Sequence, residues 1–175
     1  MVRQIISCFL ILFCFISNAQ QYVGKKGSIT FFSEAPIENI QAINNKVGAV
    51  YNESKGEIVF SLKIKDFIFP KKLMQEHFNE NYLESDIFPI STFQGKIIKV
   101  LNNDSINVEG DLNIHGRTNK VNVSGFLFKK DRSVSIKANF PIKLEDYNIK
   151  IPKIVMYNIA EVIDISVSIK LDRIE

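Results

Sequence analysis

The sequence predicts an all-β fold of about eight antiparallel strands, stacked as a sandwich or closed as an up-and-down barrel, with a short helix near 71–84. Three observations carry this. Residues alternate with a period of two in four separate runs; compact polar connectors fall between the runs; and a helical spacing occurs over one short stretch only.

The alternation is clearest at the end of the chain. Ile163, Ile165, Val167, Ile169 and Leu171 interleave with Asp164, Ser166, Ser168 and Lys170. Ile58, Phe60, Leu62 and Ile64 do the same, as do Val134, Ile136, Ala138 and Phe140. Ile106, Val108, Gly110, Leu112 and Ile114 complete the set. A period of two puts one side of each strand against an apolar interior and the other in water. Strands are expected near 27–33, 40–51, 57–65, 91–100, 105–115, 120–128, 133–142 and 162–172. Glu53-Ser54-Lys55-Gly56, Asn102-Asn103-Asp104 and Lys129-Lys130-Asp131-Arg132 have the composition of hairpin turns.

Two segments depart from this period. Pro70 can open a helix, because the first turn does not need its missing N–H. Beyond it Met74, Phe78 and Tyr82 recur four residues apart, an amphipathic spacing that ends near Ser85-Asp86 and is closed off by Pro89. In Leu144–Ala160, Pro152 interrupts an apolar stretch with room for one helical turn near Ile154–Ile159.

The first 19 residues read as a secretory leader. Arg3 supplies a short positive start, Ile5 to Ile16 is an apolar run, and Ser17-Asn18-Ala19 has the small residues of a cleavage site. Cleavage after Ala19 leaves residues 20–175 as a single domain, bound for the periplasm or secretion. Both cysteines, Cys8 and Cys14, belong to the leader, so disulfides and thiolate metal sites are not expected in the mature domain. The net charge of the whole chain is +3 and is spread along it, which argues against a nucleic-acid surface.

Catalytic signatures are sparse. There is no GxSxG, no glycine-rich phosphate loop and no HExxH. His77 lies beside Glu76, Asn79 and Glu80, and is expected to pack over the core from the helix. His115 falls on the water-facing parity just before Gly116, where a ring nitrogen can tie down loop backbone. An enzyme acting on a bound lipid would have to use one of these two histidines. Neither has a nucleophile or a third metal ligand beside it in sequence, so no metal and no cofactor are expected.

An eight-stranded barrel is just wide enough to be filled by its own side chains or to hold one small ligand. A filled barrel would suit an interaction or stress protein. The inward residues here are mostly aliphatic, with several phenylalanines and no tryptophan, a lining that suits a linear apolar ligand.

LMQEHFNENYLESDIFPISTFQGKI (73–97) and GDLNIHGRTNKV (110–121) together resemble the YceI-like family of exported polyisoprenoid-binding proteins. The matching positions are His77, Phe78, Asn79, Tyr82, Pro89, Thr92, Phe93 and Gly95, then Gly110, Leu112, Ile114, His115, Gly116 and Thr118. The resemblance implies a lipocalin-like antiparallel up-and-down barrel with an isoprenoid chain or isoprenoid-tailed quinone inside. On that reading Met74, Phe78 and Tyr82 cover a mouth. Phe60, Leu62, Ile64 and Phe93, with Ile136, Phe140, Ile165 and Val167, line the tunnel. Partners would be a polyisoprenoid or other long apolar lipid; a homodimer and a transient membrane contact are compatible with it. The segment IENIQAINNKVGAV (37–50) is more polar and less regular than the family pattern. A small outer-membrane barrel is the rival with the same period, because it reverses the two sides.

Overall fold

A computed structural model describes residues 20–34, 38–151 and 160–174. The leader at 1–19 and the helical turn expected near Ile154–Ile159 lie outside these residues. Eight strands form one closed antiparallel barrel in sequence order. They are β1 (Gln21–Ser33), β2 (Ile40–Asn52), β3 (Glu57–Lys63), β4 (Ile90–Val100), β5 (Ser105–Ile114), β6 (Arg117–Lys130), β7 (Ser133–Lys143) and β8 (Val162–Arg173). The barrel, and not the sandwich, is the form adopted: β1 pairs with both β2 and β8, so no edge is left at the chain ends.

The expected turns sit between strands. Asn103 and Asp104 both take positive φ, as do His115 and Gly116, the backbone that tight primed hairpins require. At the β2–β3 turn the Asn52 side-chain oxygen accepts from Ser54 Oγ at 2.8 Å and from Lys55 N at 3.2 Å, holding the loop below Gly56.

The alternating apolar residues face inward and the charged ones outward, the reverse of a membrane barrel's arrangement. The first hairpin is where the regular pattern breaks. Gly24 and Gly27 both face in, with exposed Lys25 and Lys26 between them. Asn44 and Val47 both face in, with exposed Asn45 and Lys46 between them. Each strand therefore carries one extra outward residue, and the pairing shifts from Gly24↔Ala49 to Gly27↔Val47 to Ile29↔Asn44. The fully buried Asn44 repairs the break: its Nδ2 donates to the Lys63 carbonyl at 2.9 Å, and its Oδ1 accepts from Lys46 N at 2.8 Å. β1 accordingly starts at Gln21, six residues before the expected 27, because the bulge hides the alternation of its first half.

Two seams of the barrel lose their pairing toward the helical end. β2 meets β3 between Gly48–Asn52 and Glu57–Ser61; above that, Ile43 pairs with Ile68 of the following loop. β6 meets β7 only between Gly125–Lys130 and Ser133–Ala138.

The β3–β4 connection crosses one end. A 3-10 turn (Ile64–Asp66) ends β3 two residues earlier than the period suggested, and helix α1 spans Lys72–His77. From Phe78 to Tyr82 the chain widens into a π turn, with Leu83 N donating to the Phe78 carbonyl at 2.9 Å. The expected continuous helix is thus six residues of α-helix followed by a wider turn.

Candidate functional site

The interior is solid at one end and hollow toward the other. At the solid end Tyr22 and Tyr51 stack at 5.8 Å between centroids, beside fully buried Val47, Val134 and Leu171. None of these five lines the hollow. Above them an apolar cavity runs between the strands, with about 140 Å³ open to the centres of water molecules. On β5 it touches every inward residue from Ile106 to Ile114 except Gly110. At ~3.4 Å per residue and a strand tilt of about 40°, that is roughly 20 Å along the axis. Spread over this length, the volume is a bore roughly 5–6 Å across once a water radius of ~1.4 Å is added on each side. One hydrocarbon chain fits such a bore; two side by side do not.

The bore owes its width partly to glycine. Gly95 and Gly110 face each other across β4 and β5. A Cβ on Gly95 would stand 2.4 Å from the Phe93 ring, and one on Gly110 would stand 2.8 Å from it. The two bare α-carbons let Phe93 lie flat along the wall, where it meets Phe60 at 5.9 Å, so the ring does not stand across the bore.

Aromatic rings close the helical end. Phe78 contacts Phe31, Phe67 and Phe69 at centroid distances of 5.4, 5.5 and 4.9 Å, and Phe31 contacts Phe67 and Phe69 in turn. Such pairs contribute ~0.5–1.5 kcal/mol each beyond area burial, so the cluster anchors the cover firmly.

His115 pins that cover to its neighbours. Its Nδ1 donates to the Tyr147 carbonyl at 3.2 Å, and its Nε2 lies 2.8 Å from Glu84 Oε2. The Phe88 ring packs edge-on at 4.5 Å. Glu84 ends the π turn, Tyr147 belongs to a 3-10 turn after β7 (Leu144–Tyr147), and His115 sits in the β5–β6 hairpin. Three connections over the mouth thus meet at one ring. The expectation that His115 faces water is wrong: it is 8% exposed. The positive φ at the turn lifts it off the strand's alternation and folds it back under the covers.

His77 also departs from expectation. It is exposed and its Nδ1 is 3.0 Å from Asn81 Oδ1 on the next turn, so it does not pack over the core. The neighbouring Leu73 is 64% exposed. The two histidines belong to different sides of the cover and do not converge. Among the described residues no group of histidine, cysteine and carboxylate side chains has the arrangement of a metal site.

Of the residues expected in the tunnel, Phe60, Leu62, Ile64 and Phe93 line the cavity, as do Ile136, Phe140, Ile165 and Val167. Phe78 lines it too. Met74 and Tyr82 do not; both pack half-buried against the outside of the core. The π turn is the reason: its wider winding brings Leu83, five residues after Phe78, to the cavity where a regular helix would bring Tyr82. Sequence reading missed Phe31 and Phe67 as well. Phe67-Ile68-Phe69 is an apolar run with neither period, and only its crowding of rings hinted at a cap.

The model of the YceI-like domain family matches residues 20–171. No curated protein matches the chain by sequence. Among solved structures, BcnA from Burkholderia cenocepacia superposes with a TM-score of 0.73 at 17% identity, covering 83% of this chain and 96% of its own. A polyisoprenoid binding domain from Saccharophagus degradans, implicated in plant cell wall breakdown, gives 0.74 at 10% identity, covering 88% and 98%. A YCEI protein from Campylobacter jejuni gives 0.68 at 15%, covering 81% and 90%. At such identities the likeness is one of fold.

Proposed function

We propose that this chain, which belongs to the YceI-like domain family, is an exported binding protein that holds one polyisoprenoid chain or isoprenoid quinone tail for transport, storage or sequestration. The observation that carries the reading is the single-file apolar bore between Ile106 and Ile114 of β5 and the facing strands. The polyisoprenoid binding domain from Saccharophagus degradans, which shares the fold, supports the ligand class. Export rests on the leader-like residues 1–19.

The energetics suit binding without catalysis. A buried CH₂ contributes about 0.8 kcal/mol, so three or four isoprene units offer ~10–15 kcal/mol. A micromolar complex needs about 8 kcal/mol, and association costs ~4 kcal/mol or more. Burial of four units covers both at the low end of the association cost, and selectivity then follows from bore length and width. An enzyme built on His77 or His115 gains no support, since the first is bonded to Asn81 and the second joins Tyr147 and Glu84.

The test is organic extraction of the purified protein followed by mass spectrometry. The expected result is a prenyl lipid at close to one per chain. Lipid-free protein that also fails to bind added all-trans-retinol, a fluorescent isoprenoid, would end the reading.

A further inference from the structure

β6 starts at Arg117 and β7 ends at Lys143, yet their ladder stops at Gly125↔Ala138. Continued in register, it would join Ser124 to Asn139, Asn122 to Pro141 and Lys120 to Lys143; none of these pairs forms. Through the same stretch β6 stays fully paired with β5, and β7 with β8. Two well-ordered strands therefore part from each other over half their length.

Both lips have the composition of free edges. Pro141 lacks an N–H to offer a neighbour, and Lys120 and Lys143 put charge on the outer face, paired with Asp111 and Glu145. Inside the lips the cavity reaches the fork between the two strands. Lys137, Gly125 and Ala138, at the fork where the ladder stops, all line it, as does Phe140 further up. Inward Val121 and Phe140 on the parted stretches, and Ala138 at the last rung, are half-buried, while Val123 and Ile142 of the same stretches are buried. At the top of the gap the Asn119 side chain reaches the turn after β7: its Nδ2 donates to the Asp146 carbonyl at 2.7 Å, and it also bonds the Tyr147 side chain.

We propose that the parted stretch of β6 and β7 is a side window onto the cavity, through which a linear hydrocarbon chain enters and leaves. The inference rests on the cavity reading above and adds a route to it. End-on passage would have to break the Phe31–Phe67–Phe69–Phe78 cluster and the His115 pin. Sideways passage separates strands that share no ladder bonds over this stretch, and releases Asn119 from Asp146 and Tyr147.

The test ties the lips together. Asn122→Cys and Pro141→Cys are introduced in a chain carrying Cys8→Ser and Cys14→Ser, and joined with a short bifunctional thiol reagent. The same protein capped with N-ethylmaleimide serves as the unlinked reference. A second pair, Phe128→Cys with Ser135→Cys, places an equal tether where the strands are already paired. Stopped-flow fluorescence with all-trans-retinol reads the rates. Joining 122 to 141 should slow association and dissociation at least tenfold while Kd stays within about threefold, and joining 128 to 135 should change neither. Unchanged rates in the 122–141 protein, with retinol still binding saturably, would overturn the window alone. Absence of saturable binding in the unlinked protein would overturn the cavity reading and the window with it.

Discussion

Glu84 and His115 both hold left-handed backbone, at φ 43° and 51°, and their side chains meet at 2.8 Å. Each closes its own element, one the π turn and the other the β5–β6 hairpin. Neither conformation is favoured for a residue with a β-carbon, and each is held by the packing around it. The Tyr147 carbonyl can only accept, so the His115 Nδ1 must carry a hydrogen. The ring therefore serves as a structural tie between covers.

Removing that tie should cost stability more than binding. His115→Ala leaves a buried carbonyl without its donor and opens space under Phe88; the expected loss is about 2–3 kcal/mol in urea unfolding. Glu84→Gln, whose side chain is 42% exposed, should lose less than about 1 kcal/mol. In both, the Kd for retinol should stay within about threefold. A tenfold or greater loss of affinity in Glu84→Gln at unchanged stability would show that the pair serves the ligand directly.

Gly116 is doubly constrained. Its φ is +69°, and an added Cβ would stand 2.6 Å from the Phe88 ring. Gly116→Ala should destabilise the protein by about 1–3 kcal/mol, through backbone strain and displacement of Phe88. Differential scanning calorimetry would read it as a lower Tm; an unchanged Tm would mean that the hairpin tolerates the methyl group.

Phe78→Ala removes the ring at the centre of the aromatic cap. Phe78 is half-buried, so a loss of about 2–4 kcal/mol is expected, at the lower end of the range for fully buried phenylalanine. Filling the bore from the opposite wall has a different signature. Val167→Phe should raise the Kd for retinol at least tenfold and change stability by no more than ~1–3 kcal/mol. Equal affinity in Val167→Phe and the parent protein would place the ligand outside the bore.

At the solid end of the barrel Lys129 holds the carboxyl of Glu53 below its ordinary 4.5, and Tyr22 donates to Glu53 at 3.1 Å. The same carboxylate raises Lys129 above its ordinary 10.5. Glu53 thus adds stability that is present above about pH 4.5 and is lost as pH falls through its lowered value. Lys129 adds stability that is present below about pH 10.5 and is lost as pH rises through its raised value. Lys129 is 52% exposed and Glu53 27%, so screening limits the pair to under about 1 kcal/mol. Glu53→Gln should flatten the acid limb of stability against pH, measured by urea unfolding from pH 3 to 7; parallel curves would show that the pair contributes nothing.

Where burial sets the pattern, the sequence was legible. Strands β3, β5, β7 and β8 bury one side against the core, so an alternation of two betrays them and even the cavity-facing residues follow by parity. The signal fails wherever an extra residue or a wider turn changes the period. Lys25-Lys26 and Asn45-Lys46 conceal the lower half of β1 and the irregular middle of β2. The π turn moves the cavity contact from Tyr82 to Leu83. His115 escapes because a positive φ at a hairpin reverses the side its parity predicts. The partial pairing of β6 and β7 left no mark on the hydrophobic pattern, since both strands alternate whether or not they touch.

The two bulges of the first hairpin work as a matched pair. Losing Lys26 alone would put β1 out of step with β2 and leave half of one wall presenting its wet side to the grease. Losing Lys26 and Lys46 together would straighten both strands at once and keep every inner residue where it is. Length variation in this hairpin should therefore be tolerated only two residues at a time, one from each strand, and a library of single and double deletions would reveal that rule as survivors in pairs.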